Sequence, residues 1–505
     1  MVDLLDARAA ASPDRTFLVD EGGRRMTYAE LRLESLRVSE RMAAAGVNAR
    51  SLVSWVLPTS IDTLVVAAAL SRLGAIQNPI IPVYREREIG HIVDEIAVDL
   101  MIVTPQWRGV DYLALCSDLA AARAGRPPVL TLEQVVRGAN PLPVLGAGAD
   151  HGDLASAQWL FYTSGTAGLP KGVRHTDGTL AAAAAGMVDH LAMTENDRSG
   201  IAFPIAHIGG PINLMAGLLS GATLILIEHF DPEPTARVLA REGVTMAGSG
   251  TAFHLAYLDV QAKQPDTPLF PALRCCPGGG APKPAGLHER VRRELGGCGI
   301  VSSWGLTEAP VLTMGRPADP DARLSDSEGR PLPGVELRVA ASDGRRCAPG
   351  EPGELRVRAP QVMLGYVHPS LDGDAFDDEG YLRTGDLGVV DTEGYVRITG
   401  RLKDVVIRKG ENIGTAEVEE LVRGHPAIAD AAVIGLPDAR TGERVCAVVE
   451  LVPGAPAPTL DSLGAFLAGK GLRTIAWPEQ LEVVTALPRT VAGKIDKRQL
   501  AERFH

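Results

Sequence analysis

The residues with the clearest chemical potential run from Tyr162 to Gly172, Tyr-Thr-Ser-Gly-Thr-Ala-Gly-Leu-Pro-Lys-Gly, at the end of the apolar run Gln158 to Thr163. Gly165, Gly168 and Gly172 let backbone N–H groups turn inward, and Thr163, Ser164, Thr166 and Lys171 add side-chain donors and one positive charge. A concave array of donors of this kind attracts phosphate. A Walker A loop needs Gly-Lys followed by Ser or Thr, whereas Lys171 stands between Pro170 and Gly172, which disfavours a P-loop nucleoside triphosphatase. A plain surface loop is the competing reading, but it has little use for three hydroxyls and a lysine among its glycines.

Four further segments follow in order: Trp304-Gly-Leu-Thr-Glu308, Tyr381-Leu-Arg-Thr-Gly-Asp386, Gly400-Arg-Leu-Lys-Asp404 running into Lys409-Gly-Glu-Asn412, and Gly493-Lys494-Ile-Asp496. Taken with the first, they resemble the signature of the adenylate-forming superfamily: acyl-CoA synthetases, the adenylation domains of peptide synthetases, and luciferases. The resemblance covers nearly the whole chain. It implies that a carboxylic acid is coupled to the α-phosphate of ATP, that pyrophosphate leaves, and that a thiol then attacks the acyl-adenylate. Both reactants of the first step are anions, so the site must supply positive charge and oriented donors while excluding water.

The resemblance also assigns roles. Glu308 matches the family's magnesium-associated carboxylate, a hard oxygen ligand for an ion that keeps some water, and Thr307 matches a phosphate-contacting hydroxyl. Asp386 matches the acceptor of the ribose hydroxyls, a use of carboxylate also seen in dinucleotide sites, and Arg401 supports the same nucleotide. Gly278, Gly279, Gly280 and Ala281 resemble the adenine-side loop, where a missing Cβ permits close approach to a flat base, and Trp304 with Gly305 completes that side. Lys494 matches the catalytic lysine, a compact charge on a long stem that can bridge the carboxylate and the α-phosphate. Lys403 falls at the family's hinge, and Gly410 and Glu411 at the tunnel for the thiol. Ala167 departs from the pattern, which has Ser or Thr there, and removes one donor.

The acyl pocket is expected around His207, Ile208 and Gly209, together with Gly248 and Gly250. His207 matches a gating position, although a histidine beside apolar residues is as readily a satisfied core residue. Ile208 stands where amino-acid-activating relatives carry an aspartate, so an apolar acid, whether fatty, alicyclic or steroid-derived, is favoured over an amino acid. The Lys-Gly-Glu-Asn-Ile form at 409–413 looks more like coenzyme A ligases than carrier-loading enzymes. The alternatives are a freestanding enzyme that loads a carrier protein and a non-catalytic nucleotide-binding regulator. The expected co-substrates and cofactor are ATP, coenzyme A and Mg2+.

Elements of two textures must position these residues. Up to about residue 325, β-branched runs alternate with amphipathic stretches: Thr27 and Glu30 make a capping-box signature, Ile61 to Leu73 reads as a helix, and Leu52 to Leu57 and Thr223 to Ile227 read as strands. Such alternation implies parallel sheets covered by helices. From about 325 to 400 short alternating strands predict an antiparallel β subdomain. Residues 401–505 read as a small, mobile α+β domain, with helices near Ala416 to Arg423 and Leu460 to Ala468 and Gly469 as a stop. The expected fold is therefore α/β, with a large adenylation domain over 1–400 and a C-terminal domain over 401–505.

Composition narrows the partners. The 505 residues are 45% apolar and 22% charged, with a net charge of −12 and no long basic run, which argues against nucleic acid. Six cysteines without C-x-x-C spacing suit neither a disulfide framework nor a thiolate metal site, and the charged N-terminus does not read as an export signal, so a cytoplasmic enzyme is expected. The run Ser199 to Ile227 has no Asp, Glu, Lys or Arg, but Pro204, Gly209, Gly210 and Pro211 argue for a buried loop, helix and strand rather than a membrane span. A small-molecule acid is the expected partner, with no transmembrane segment, and homo-oligomerisation is left open.

Overall fold

The computed structural model describes residues 1–123, 126–146, 151–163, 170–280, 283–408, 411–438, 441–470, 472, 474–490 and 494–504. The chain divides into two compact units, one of Met1–Glu336 with Arg358–Leu382 and the other of Leu337–Val357 with Arg383–His505.

The first unit shows why continuous apolar runs become central strands. In Leu52–Val56, Val53 and Trp55 point into one core cluster and Leu52 and Val56 into another, so both faces are covered and every position is buried. This strand pairs in parallel with Ile76–Pro79 and Leu100–Val103, within a seven-stranded sheet. The intervening helix Ile61–Leu73 starts at Ser60, whose hydroxyl accepts from the Thr63 N–H, and ends at Gly74 in the left-handed region (φ 67°). The Thr27–Glu30 capping box is formed, and it opens helix Tyr28–Ala44.

One edge of the sheet reverses direction. Strand Trp159–Thr163 returns antiparallel as Lys171–His175, with Thr163 opposite Lys171, and Gly365–Tyr366 pairs on the outside. The uncharged run near residue 200 becomes helix Gly209–Ser220 and strand Thr223–Leu226 in a second, five-stranded sheet. Among the described residues no helix is long and apolar enough to cross a membrane. A third sheet aligns Cys276–Gly279 in parallel with Ile300–Leu306, which turns back as Ala309–Met314.

The second unit contains two sheets. Glu336–Ala340, Gly353–Arg358, Leu382–Val390 and Val396–Arg401 lie side by side, and the last two are antiparallel with Asp386 opposite Arg401. The other sheet is centred on Ile428–Asp438 and Gly442–Leu451. Ala431 and Val433 face one core cluster, which includes helices Thr415–Arg423 and Leu460–Gly469, while Ala432, Ile434 and Leu436 face a second one. Helix Lys497–Phe504, not anticipated from the sequence, covers that second face with Leu500, Ala501 and Phe504. Gly469 is the last helical residue rather than the stop, and Lys470 provides the cap.

Candidate active site

Two groups of candidate residues form, one in each unit. In the first unit, the phosphate-loop segment is the connection of an antiparallel hairpin: Thr163 ends one strand, Lys171 opens the next, and Ser164, Gly165, Thr166, Ala167 and Gly168 lie outside the described residues. Gly172 is required here, because a Cβ would come within 2.4 Å of Val367 Cγ2 and 2.9 Å of Tyr162 Cζ. Lys171 is exposed, its Nζ 5.7 Å from the centre of the Tyr366 ring.

Thr307 and Glu308 occupy the tight turn between Ile300–Leu306 and Ala309–Met314. Three contacts from distant parts of the chain hold this turn. The Thr307 carbonyl accepts from His175 Nε2 at 2.8 Å, the Glu308 carbonyl accepts from the Met363 N–H at 2.8 Å, and Glu308 Oε1 accepts from the Tyr366 hydroxyl at 2.9 Å. Burial pushes His175 down to about 4, so it is a neutral imidazole whose Nε2–H donates. Burial, followed by the Glu308 charge, pushes the Tyr366 phenol up, so its proton stays available to the carboxylate. Gly305 precedes the turn where a Cβ would lie 2.4 Å from the Val311 nitrogen. Neither His175 nor Tyr366 was anticipated. His175 lies four residues after Lys171 and shares its strand, a weak signal, whereas nothing near Tyr366 in the sequence marks it.

Glu308 is the one candidate metal ligand of the set, and among the described residues no group of three or more His, Cys, Asp or Glu side chains gathers to hold an ion. A single carboxylate suits Mg2+, which keeps waters and binds phosphate oxygens rather than filling an all-protein cage.

The glycine-rich segment packs as closely as its composition suggests. A Cβ on Gly278 would lie 2.8 Å from His254 Cε1, and one on Gly279 2.6 Å from Ser303 Oγ. Gly280 takes φ 76°, and Ala281 lies outside the described residues. The segment 248–250 runs alongside: Cβ atoms on Gly248 and Gly250 would each stand 3.3 Å from a carbonyl oxygen, of Pro277 and Gly279 respectively. Trp304 is buried on the neighbouring strand. His207 is exposed rather than a core residue, its Nδ1 accepting from the Gly209 N–H at 3.3 Å and its ring edge-on to Phe203. Ile208 is buried in the main core cluster, directly before helix Gly209–Ser220.

In the second unit, Asp386 and Arg401 face each other across adjacent strands, with Arg401 Nε 2.7 Å from Asp386 Oδ1. The carboxylate is 4% exposed and the guanidinium 47%, so the pair is anchored at the acid and open at the base. The Lys494 carbonyl accepts from the Thr490 N–H at 2.6 Å, beside the Arg489–Ile495 bridge. Arg489 is fixed to the sheet through Asp430, 2.5 Å away. The Lys494 side chain reaches solvent yet is crowded by protein: desolvation, then the Arg401 charge, push its ammonium down, and Asp386 opposes them. Lys494 is thus in the electrostatic field of the Asp386–Arg401 pair. Lys497, one turn further on, is engaged with Glu419 at 2.6 Å and Thr415 at 2.8 Å. Lys403 lies in the one-turn helix Leu402–Asp404 that joins strand Val396–Arg401 to Val405–Arg408. Glu411 begins the strand paired with Val405–Arg408, and Gly410 lies outside the described residues.

Residues 5–367 match the family model for AMP-binding enzymes, and residues 417–494 match the AMP-binding enzyme C-terminal domain. The chain belongs to the AMP-binding enzyme family. This AMP-binding enzyme is 32% identical to the medium-chain fatty-acid–CoA ligase of Escherichia coli, over 98% of its own length and 89% of that protein. It is also 32% identical to the salicyl-AMP ligase / salicyl-S-ArCP synthetase of Mycobacterium tuberculosis, over 99% of its own length and 90% of that protein. Among solved structures, the o-succinylbenzoate coenzyme A synthetase of Bacillus subtilis in complex with ATP and magnesium ion superposes with a TM-score of 0.83 at 27% identity, covering 98% of each chain. The AMP-binding enzyme is therefore an adenylate-forming ligase, in agreement with the superfamily its five motifs resemble.

Proposed function

We propose that this enzyme converts an apolar carboxylic acid to its acyl-adenylate with ATP and Mg2+, and then to a thioester of coenzyme A, releasing pyrophosphate and AMP. The observation that carries the reading is Lys494, crowded yet reachable, in the field of the buried Asp386 and its partner Arg401. In this reading Asp386 accepts the ribose hydroxyls, and Arg401 steadies it. Lys494 supplies the cation that lets the acid and the α-phosphate meet. Thr163, Ser164, Gly165, Thr166, Gly168 and Lys171 take the outer phosphates, Thr307 donates its hydroxyl to them, and Glu308 holds the metal that neutralises them.

Thioester formation needs the lysine withdrawn from the acyl carbon. Residues 401–505 move as a body about Lys403, leaving Gly410 and Glu411 to line the path of the thiol. A thiol with pKa near about 8.5 needs little activation once placed. The buried Ile208 offers nothing to an ammonium group, which supports an apolar acid whose pocket is rimmed by His207, Gly209, Gly248 and Gly250.

The salicyl-AMP ligase relative favours a second reading, transfer to a carrier protein. A panel of fatty, aromatic, alicyclic and amino acids assayed for AMP formation, with free coenzyme A and with a phosphopantetheinylated carrier, separates the two. Thioester on free coenzyme A with apolar acids is the expected result. Transfer to the carrier alone, or preference for an amino acid, refutes the proposal. Failure of every acid to promote exchange of pyrophosphate into ATP leaves a nucleotide-binding regulator.

A further inference from the structure

Helix Glu86–Ile96 buries Ile89, Ile92, Val93 and Ile96, yet it also directs two polar side chains inward, His91 and Glu95, one turn apart. His91 reaches the hairpin that carries the phosphate-loop segment, and Glu95 stands behind it. His91 Nε2 lies 3.1 Å from the carbonyl oxygen of Pro170, the residue before Lys171, and its ring packs edge-on to Tyr162, the residue before Thr163. The Glu95 side chain is 5% exposed, with Oε1 2.9 Å from His368 Nε2 and Oε2 3.9 Å from His91 Nε2.

Glu95 Oε2 and the Tyr162 hydroxyl are both buried, and neither has a well-formed hydrogen bond. They are close enough that the Glu95 charge, after burial, pushes the Tyr162 phenol up. A buried carboxylate oxygen whose ion-pair partner is an imidazole 3.9 Å away is weakly satisfied and calls for a reason. Apolar packing of the helix supplies none. His91 touches both the exit of the loop, at Pro170, and its entry, at Tyr162, and Glu95 lies 3.9 Å behind it.

We propose that His91 and Glu95 are positioning residues for the phosphate loop. His91 donates to the Pro170 carbonyl and packs edge-on to Tyr162, and Glu95, paired with His368, stands behind His91 on the same helix, so that one helix sets the spacing of the loop's two ends. Small errors in that spacing misplace donors whose value depends on their geometry. The inference rests on reading residues 163–171 as the phosphate-binding segment.

The test compares wild type with His91→Ala, His91→Gln and Glu95→Gln in acid-dependent exchange of pyrophosphate into ATP, with denaturation midpoints measured in parallel. The Gln amide nitrogen falls near the position of imidazole Nε2 and keeps the donor. Loss of one positioned hydrogen bond predicts a rise of about tenfold in KM for ATP in His91→Ala, exceeding any fall in kcat, with KM for the acid unchanged. His91→Gln is expected within about twofold of wild type, and Glu95→Gln between the two.

A variant His91→Ala that shifts only the denaturation midpoint, or raises KM for acid and ATP alike, overturns the proposal. Should it not fold, His91→Gln against His91→Asn, whose donor stops short of Pro170, puts the same question: equal KM values for ATP refute the role. A wild type that neither exchanges pyrophosphate nor binds ATP in calorimetry removes the phosphate reading itself, whereas normal exchange with unaltered variants removes only the positioning role.

Discussion

The two groups of candidate residues are held in place by opposite means. In the first unit, the Thr307–Glu308 turn is fixed by neutral donors, a fully buried imidazole and a half-buried phenol, and by Gly305 packed against backbone. In the second, Asp386, Arg401 and Lys494 are related by charge, and two of the three are open to solvent. Neutral, buried hydrogen bonds specify one geometry and give it up only with unfolding. Exposed charges exchange partners at little cost. The first group is therefore held in one geometry, and the second, under the proposed function, is held by interactions that can be exchanged.

The largest expected effect tests the second group. Lys494→Ala should lower acid-dependent pyrophosphate exchange by two to three orders of magnitude, about the value of one preorganised charge at a developing transition state. ATP binding measured by calorimetry should persist, and so should thioester formation from a supplied acyl-adenylate. Full adenylation by this variant would refute Lys494 as the cation that lets the acid and the α-phosphate meet.

Acid should act on the first group. His175 and His254 are buried and held near about 4, against an ordinary 6.5. As pH falls, the unfolded chain takes up these protons first, so the stability they contribute is fully present above about 6.5. It is then lost as pH falls towards 4, by up to about 3 kcal/mol for each histidine. Denaturant unfolding monitored between pH 7 and 4 checks this, and a smaller slope in His254→Gln would tie it to the glycine-rich segment.

Gly305→Ala comes next. A methyl aimed at the Val311 nitrogen, 2.4 Å away, should cost about 1–3 kcal/mol of stability and raise KM for ATP, since the strain falls beside Thr307. The smallest effect belongs to Tyr366→Phe. Removing one donor to Glu308 should cost about 1 kcal/mol, read as a severalfold rise in the magnesium concentration that gives half-maximal rate. A Tyr366→Phe variant indistinguishable from wild type would mean that the carboxylate does not rely on that phenol.

Much of the scaffold is legible from local pattern. The capping box at Thr27 and the helix Ile61–Leu73 form where spacing predicts, because capping and periodicity are properties of neighbouring residues. The C-terminal helix Lys497–Phe504 was less visible: it is mostly polar, and its few apolar side chains find their purpose only against the sheet. His207 illustrates the same limit. Its type and neighbours fit a core residue or a gate equally well, and packing leaves it exposed.

The sequence alone determined which chemistries were available: donors among glycines, a carboxylate in a turn, a lysine near the end of the chain, and an order of motifs that resembles one superfamily. Tertiary structure decided which distant residues orient them. His175 reaches Thr307 across 132 positions and Tyr366 reaches Glu308 across 58. No local spacing encodes such contacts, because they arise only when separate sheets and strands are brought together by burial of their apolar faces.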